Sequence, residues 1–146
     1  RIARGDELHL AGAFQDNRVI PYEGTCASEM APALRGRVLD LVAQYLAYLP
    51  EGPRAARIAD VERHLGETWF CWIGGTDDES PFYYRIQSPV LIVEFDHHAG
   101  VFLANGEPEK FHIHTIVRTP NGNDYGMDLL KLHYAQSHHG RKPGER

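Results

Sequence analysis

Two short stretches of the sequence carry side chains that could do chemistry, and both alternate polar with apolar residues. The stretch PVLIVEFDHH places Glu94 and Asp96 two residues apart, and FHIHTIVR spaces His112 and His114 in the same way. In a β-strand, residues two apart point to the same face of the sheet. Each stretch therefore predicts a strand with one apolar face and one face that carries a functional pair, Glu-x-Asp or His-x-His.

If these two strands are neighbours, about 4.8 Å apart, the two carboxylates and two imidazoles can converge. Two histidines and one carboxylate with open positions are typical of non-haem iron, and also of catalytic zinc. We therefore predict a divalent metal site, with zinc, iron and copper not distinguished, in which a metal ion activates water or polarises a substrate oxygen. The expected ligands are His112, His114 and at least one of Glu94 and Asp96. The other carboxylate would support the ligands or act as a general base.

Two other interpretations stay open. Without a metal, a carboxylate that orients a histidine forms a general base. Polar residues are also ordinary on the solvent-facing side of an antiparallel sheet, and the same groups would then form a structural network in a non-catalytic ligand-binding or assembly domain. The segment Val101-Phe102-Leu103 could also be a strand inserted between the two stretches, which would separate the pairs.

Two arginines fall on the predicted sheet. The planar guanidinium groups of Arg85 and Arg118 suit a carboxylate or a phosphate, so each could hold an anionic substrate or simply pair with Glu94 or Asp96. Arg85, Arg118 and Asp96 are thus the candidate catalytic residues, and we expect a small anionic or polar substrate. His133 is a further candidate on a predicted helix, where a satisfied core histidine is the simpler interpretation.

The elements that must position these groups follow from periodicity. Apolar residues recur every three or four positions from Pro32 to Leu49, which predicts a helix that the PEGP at 50–53 ends. A second helix is expected from about Ala55 to Leu65, closed by Gly66. Aromatic or β-branched runs predict strands, and a dense turn at 120–126 precedes a last helix. The predicted strands are Thr68–Ile73, Phe82–Gln87, Val90–Asp96 and His112–Thr119, and the last helix runs from about Asp124 to His138.

This order of elements predicts an α+β fold, in which a mostly antiparallel sheet of four or more strands packs against helices. A chain of 146 residues fits a single domain, here residues 1–146. The chain neither begins with Met nor opens with a signal peptide, so we expect a fragment or a processed chain of a longer protein, with a flexible tail at 139–146. The rest of that parent chain is then an expected partner.

Composition excludes several classes of function. With 15 Lys and Arg against 20 Asp and Glu, the net charge of −5 disfavours a nucleic-acid or anionic-membrane surface. No apolar run approaches the roughly 20 residues of a membrane helix, so a soluble chain is expected, although compartment and oligomeric state stay open. Cys26 and Cys71 lack CxxC spacing. Since no phosphate-binding glycine loop is present, no organic cofactor is indicated.

Three segments together resemble a known family. The runs SPFYYRIQSPVLIVEFDHH and HIHTIVRTPNGNDYGMDLLKLHYAQ, with TWFCWIGG before them, are similar to the C-terminal part of the domain of unknown function 3500 family. The resemblance covers most of the chain and implies a longer protein, with a segment before Arg1. It implies that the recurring polar positions are Arg85, Glu94, Asp96, His112, His114, Arg118 and His133. His97 and His98 match less consistently, and the family supplies no reaction.

The residues predict a metal-dependent enzyme, with hydrolysis preferred to redox chemistry, and the resemblance adds positions to watch but no reaction. The alternative is the non-catalytic ligand-binding or assembly domain.

Overall fold

The computed structural model of the protein describes residues 18–100, 102–120 and 132–135. Its helices are α1 (Pro32–Leu46) and α2 (Glu51–Arg63), and its strands are β1 (Thr25–Cys26), β2 (Trp69–Gly74), β3 (Phe82–Gln87), β4 (Ile92–His97) and β5 (Ile113–Arg118). Short 3-10 turns at Ala27–Glu29 and Leu65–Glu67 complete the order. The strands form one antiparallel sheet in the order β1-β2-β3-β4-β5. The α+β prediction is confirmed.

The strand β3 has the predicted bounds, whereas β4 begins two residues later than predicted. The reason is a local turn before it: the hydroxyl of Ser88 accepts the backbone N–H groups of Val90 at 3.2 Å and of Leu91 at 3.0 Å. A serine side chain that accepts backbone N–H groups in this way gives the chain an alternative to the ladder of the sheet. The extended pairing therefore starts at Ile92.

The helices differ more from the prediction. The first helix ends at Leu46, and the second begins at Glu51 rather than near Ala55. The segment read as a helix stop is the first turn of α2, with Pro50 as its N-cap residue and Pro53 at its third position. A proline is tolerated there because the first N–H groups of a helix have no partner within it.

The helices pack on one face of the sheet. Their buried side chains Val38, Val42, Leu46 and Val61 form a core with Tyr84, Ile86 and Val93 from the strands and with Leu91, which directly precedes β4. The predicted apolar face of β4 is therefore confirmed. The matching expectation for β5 is wrong in the described part of the chain: Ile113 is 50 % exposed and Val117 is 44 % exposed. The strand β5 lies at the edge of the sheet, beyond the core that the helices build.

The strands β4 and β5 are direct neighbours, with Asp96 opposite His114. Residues 102–104 form a turn and a bend, so no inserted strand separates the two functional pairs among the described residues. The predicted last helix lies outside the described residues except for 132–135, which are helical, and the expected tail at 139–146 lies outside them altogether. Nowhere in the described ranges is a helix long and apolar enough to span a membrane.

Candidate functional site

A layer of polar side chains covers the sheet face opposite the helices. The register places Tyr83, Asp96 and His114 in one row across β3, β4 and β5, and Arg85 and Glu94 in the next. This layer is buried rather than solvated: Glu94 is 0 % exposed and Asp96 is 1 % exposed. Their burial disagrees with the interpretation of an ordinary solvent-facing polar surface, because buried polar groups must be compensated by specific partners.

One end of the layer is built from imidazoles. The Nε2 atoms of His112 and His114 are 3.0 Å apart. The Nδ1 atom of His112 lies 3.1 Å from Oδ1 of Asn105. The amide of Asn105 is oriented by its other end, which donates to the carbonyls of His98 at 2.8 Å and Glu107 at 2.9 Å. Because Oδ1 of this amide can only accept, Nδ1 of His112 carries the proton.

This tautomer determines what His112 presents to His114. A neutral imidazole carries one proton, so with Nδ1 protonated the Nε2 atom of His112 is a lone pair. That lone pair faces Nε2 of His114 at 3.0 Å. The His114 nitrogen then either donates a proton to it or adds a second lone pair beside it. Two imidazole Nε2 atoms at this separation can share a metal ion at about 2.0–2.1 Å from each.

The Asp96 carboxylate is engaged by a residue that the sequence did not single out. Its Oδ2 atom pairs with Nδ1 of His98. The ring of His98 stacks on that of His114 with centroids 4.2 Å apart, and meets the ring of His112 edge-on at 5.4 Å. The three imidazoles, with Asp96 and Asn105, are called the histidine cluster below. Among the described residues, no three or more His, Cys, Asp or Glu side chains are arranged to hold a metal ion.

The neighbouring part of the layer is an ion-pair network. Arg85, 1 % exposed, donates from Nη2 to Oε2 of Glu23 at 2.8 Å and from Nη1 to the hydroxyl of Tyr83 at 3.3 Å. The Tyr83 hydroxyl in turn donates to Oε1 of Glu94 at 2.6 Å. Burial and, after it, the charge of Glu94 raise the pKa of Tyr83, so this hydroxyl stays a donor. We call Glu23, Tyr83, Arg85 and Glu94 the arginine network.

The segment before β1 covers this network. The carbonyl of Ile20 accepts from Nε2 of Gln87 at 2.8 Å, and that of Pro21 accepts from Arg85 at 3.3 Å. The side chain of Ile20 packs on Ile92. These contacts hold Glu23 over Arg85, although 62 residues separate the two in the sequence.

The polar layer, taken as the arginine network and the histidine cluster together, holds more carboxylates than guanidinium groups. Among the described residues, the buried carboxylates of Glu94 and Asp96 and the partly exposed one of Glu23 accompany one fully buried guanidinium, that of Arg85. An excess of buried negative charge is costly unless a cation offsets it. Since Arg85 lies with Glu23 and Tyr83, the negative charge of Asp96 falls at the histidine cluster. That end therefore places a carboxylate beside the three imidazole rings.

The other predicted residues lie elsewhere. Arg118 is half-buried on the polar face, opposite Ile92 and two rows from His114. His133 is exposed. His97 points to the apolar face, where its Nδ1 accepts the N–H of Phe82 at 2.9 Å. Burial, and then the charge of Lys110, lower the pKa of His97, which suits a neutral structural histidine.

Sequence reasoning missed His98, Asn105, Tyr83 and Glu23 as parts of the layer. A signal for His98 existed, since Asp96-x-His98 repeats the alternation of the strand, but the predicted strand ended at Asp96. The loop amide of Asn105 and the covering Glu23 had no such periodic signal.

The chain was compared with known proteins at the level of families, curated sequences and solved structures. The family described as Protein of unknown function (DUF3500) matches residues 1–127. The chain belongs to this family. No curated protein and no solved structure matches it significantly. Membership in DUF3500 thus agrees with the resemblance of the sequence motifs and names no reaction.

Proposed function

We propose that this DUF3500 chain is a metal-dependent enzyme whose metal ion is bound through Nε2 of His112 and of His114. The observation that carries the proposal is the pair of Nε2 atoms 3.0 Å apart, with the proton of His112 held on Nδ1 by Asn105. Metal-binding histidines characteristically donate their other ring N–H to an oxygen, which fixes the tautomer and leaves the opposite nitrogen for the metal. The excess negative charge near Asp96 favours a cation at the same place.

The chemistry proposed is hydrolysis by a metal-activated water. A divalent ion with an open position lowers the pKa of bound water and polarises a substrate oxygen. A small anionic or polar substrate fits the guanidinium of Arg118, which is half-buried on the same face. Arg85 would serve substrate only by exchanging Glu23, its ion-pair partner at 2.8 Å.

Of the two predicted carboxylate ligands, Asp96 is the nearer to the paired imidazoles. It lies directly opposite His114, whereas Glu94 lies opposite Ile116 and accepts from Tyr83. We therefore assign Glu94 to the arginine network and leave Asp96 with the metal.

The second candidate is a non-catalytic ligand-binding or assembly domain with a structural polar network. The arginine network favours it, because each of its charged groups is already engaged by another residue of the chain. The two candidates differ in what they predict for a metal ion.

The deciding experiment is metal reconstitution of the 146-residue chain. Wild type is stripped with a chelator, loaded separately with Zn²⁺, Co²⁺, Fe²⁺ and Cu²⁺, desalted and analysed for metal. We expect one tightly bound ion per chain, lost in His112→Ala/His114→Ala. His133→Ala, which removes an exposed histidine, is the matched control and should load like wild type. Hydrolysis of p-nitrophenyl acetate and p-nitrophenyl phosphate by the loaded proteins then tests catalysis.

Each outcome assigns one of the candidates. Stoichiometric metal together with metal-dependent hydrolysis supports the enzyme. Metal-free wild type under all four conditions overturns the metal proposal. Equal loading of the double variant and wild type, with both folded by circular dichroism, overturns the assignment to His112 and His114.

A further inference from the structure

The strand β5 forms one edge of the sheet and lacks the features by which edge strands ordinarily avoid pairing. It has 6 residues, Ile113–Arg118, and among the described residues no strand pairs with its outer side. Natural edge strands are protected by short length, by Pro or Lys, or by a bulge. The strand β1 at the opposite edge has only 2 residues. By contrast, the sequence IHTIVR of β5 contains no Pro, Lys, Asp or Glu, and its Arg118 is the last residue.

The hydrogen bonds between β4 and β5 identify the backbone groups of β5 that point outward. Just beyond the paired residues, and in the same register, the N–H of His98 donates to the carbonyl of His112 at 2.7 Å. In an antiparallel pair of strands, only every second pair of opposite residues exchanges backbone hydrogen bonds. The even-numbered residues of β5 therefore bond to β4, and the backbone N–H and C=O groups of Ile113, Thr115 and Val117 point away from it.

The side chains of the same residues form an uncovered stripe on the helix side of the sheet. Val117 lies opposite Val93, a residue of the core, yet it is 44 % exposed, and Ile113 is 50 % exposed. Each residue with an outward backbone also supplies one N–H donor and one C=O acceptor. A further strand along this edge would both pair these backbone groups and cover the apolar stripe.

We propose that the outer edge of β5 binds β5 of a second copy of this chain, antiparallel, so that the Thr115 residues of the two copies face each other. The two sheets then continue into one another across a two-fold axis. This inference goes beyond the proposed metal site and does not depend on it. A second copy is the occupant because a two-fold interface requires one surface to be complementary to its own rotated copy, and the edge of β5 has this property.

The register centred on Thr115 pairs every outward backbone group. Ile113 lies opposite the partner's Val117, Thr115 opposite the partner's Thr115, and Val117 opposite the partner's Ile113. Opposite residues of this kind exchange both of their N–H···O=C hydrogen bonds. Any other antiparallel register leaves at least one of these residues without a counterpart among the same positions of the second strand. The backbone therefore selects this pairing.

The side chains agree with the same register. On the helix side, half-exposed Ile113 packs beside the partner's Val117, and apolar cross-strand neighbours stabilise a sheet. On the polar side, His112 lies opposite the partner's Arg118. Like charges directly opposite would be unfavourable, but a neutral His112 ring, with its proton on Nδ1, opposes no charge to the guanidinium. The strand also carries no carboxylate, so the net charge of −5 is not concentrated at this edge.

An apolar groove lies beside the end of β5. It has a volume of about 310 Å³, and Tyr48, Leu49, Val117 and Thr119 are among the residues that line it. Continuing the register by two residues sets the partner's Phe111 opposite Thr119, at this groove. Phe111 is 69 % exposed and Tyr48 is 95 % exposed in the single chain. Exposed apolar surface of this kind marks interaction sites, and the two-fold axis joins ring and groove at both ends of the interface.

The first test measures the mass of the 146-residue chain by sedimentation equilibrium over a concentration series. A chelator is present, so that no metal ion bridges two chains. We expect wild type to approach twice the 16.5 kDa of one chain. Thr115→Pro removes an outward N–H, a position at which an edge strand tolerates proline, and should be monomeric where wild type is dimeric. Thr115→Ala keeps that N–H and, as the matched control, should remain dimeric.

The second test uses a cysteine to measure the register. Hydrogen-bonded antiparallel neighbours have Cα atoms about 5.5 Å apart, which a disulfide can span. Thr115→Cys should therefore form a disulfide-linked dimer under mild oxidation, read on a non-reducing gel. Ile113→Cys is the control, because two copies of that residue lie roughly 14 Å apart along the paired strands, and it should stay unlinked. The native Cys26 and Cys71 are buried, so wild type should also stay unlinked.

Three results would overturn the inference. Wild type that stays monomeric throughout the concentration series would show that a second copy does not occupy the edge, which would leave it to another segment or another protein. A Thr115→Pro dimer as stable as that of wild type would place the interface elsewhere. Equal cross-linking of Ile113→Cys and Thr115→Cys would contradict the register. If Thr115→Pro is unfolded by circular dichroism, the cross-linking pattern decides.

Discussion

The histidine cluster and the arginine network lie side by side on one sheet face, yet their polar groups are paired in different ways. In the network, Arg85 donates to Glu23 and Tyr83 donates to Glu94, so each carboxylate is hydrogen-bonded by another side chain of the chain. In the cluster, Asn105 and Asp96 each engage the Nδ1 atom of a histidine. The acceptor on His112 leaves its Nε2 facing Nε2 of His114 at 3.0 Å, which a purely structural network does not require. The comparison teaches that burial alone does not distinguish the two parts, whereas the direction of their donors and acceptors does.

The largest expected effect is a loss of stability when Arg85 of the arginine network is substituted. Arg85→Met keeps a long side chain but leaves Glu23 without its guanidinium partner and the Tyr83 hydroxyl without a donor. Removing one partner of a buried ion pair costs about 3–5 kcal/mol, and we expect that loss in the free energy of unfolding, measured with urea in the presence of a chelator. His112→Ala under the same conditions should lose less, because its ring carries no fixed charge. A larger loss for His112→Ala would reverse the comparison.

The second prediction concerns metal. A ligand that binds only the folded state at 100 times its dissociation constant stabilises it by about 2.7 kcal/mol. We expect Zn²⁺ at that excess to raise the unfolding free energy of wild type by this amount and to leave His112→Ala/His114→Ala unchanged. Arg85→Met, although less stable, should keep the full metal effect. Loss of the effect there would mean that the two parts are one site.

A smaller loss of stability is expected from a substitution at the boundary between the arginine network and the histidine cluster. Tyr83→Phe removes the hydroxyl that donates to Glu94 at 2.6 Å and accepts from Arg85. A buried acceptor that loses its donor costs about 1–3 kcal/mol. Thermal or urea unfolding should show that loss, while the zinc affinity stays within a factor of three of wild type. A tenfold weaker zinc affinity would place Tyr83 within the metal site.

The smallest expected effect concerns the reactivity of the Cys71 thiol. Burial raises the pKa of the Cys71 thiol to about 11, although the charge of Arg85, its neighbour on β3, acts to lower it. Only the thiolate reacts, so about one thiol in a thousand is reactive at pH 8. Iodoacetamide should leave Cys71 unmodified in native protein and modify it in urea, as read by peptide mass spectrometry. Rapid native labelling would show that the network side of the sheet opens.

Much of the fold follows from the sequence by itself. The bounds of β3 and the shared face of Glu94 and Asp96 depend on alternation within one strand, which is a local property. The helix bounds were less accurate near Pro50, because a proline can end one helix or begin the next and only packing decides which. The apolar face of β5 followed the same alternation, but its position at the sheet edge left it uncovered in the described residues.

The sequence by itself predicted that Glu94 and Asp96 share one face of a strand and that His112 and His114 share one face of another; the pairing of those strands came from the structure. It did not determine their partners. Whether Asp96 faces His98 or a metal, and whether Arg85 meets Glu94 or Glu23, depends on the path of loops and of the covering segment. Those paths bring together residues as far apart as Glu23 and Arg85, and buried charges select partners by distance in space. The tertiary structure alone therefore decided which polar residues became a hydrogen-bonded network and which became a cluster of imidazoles.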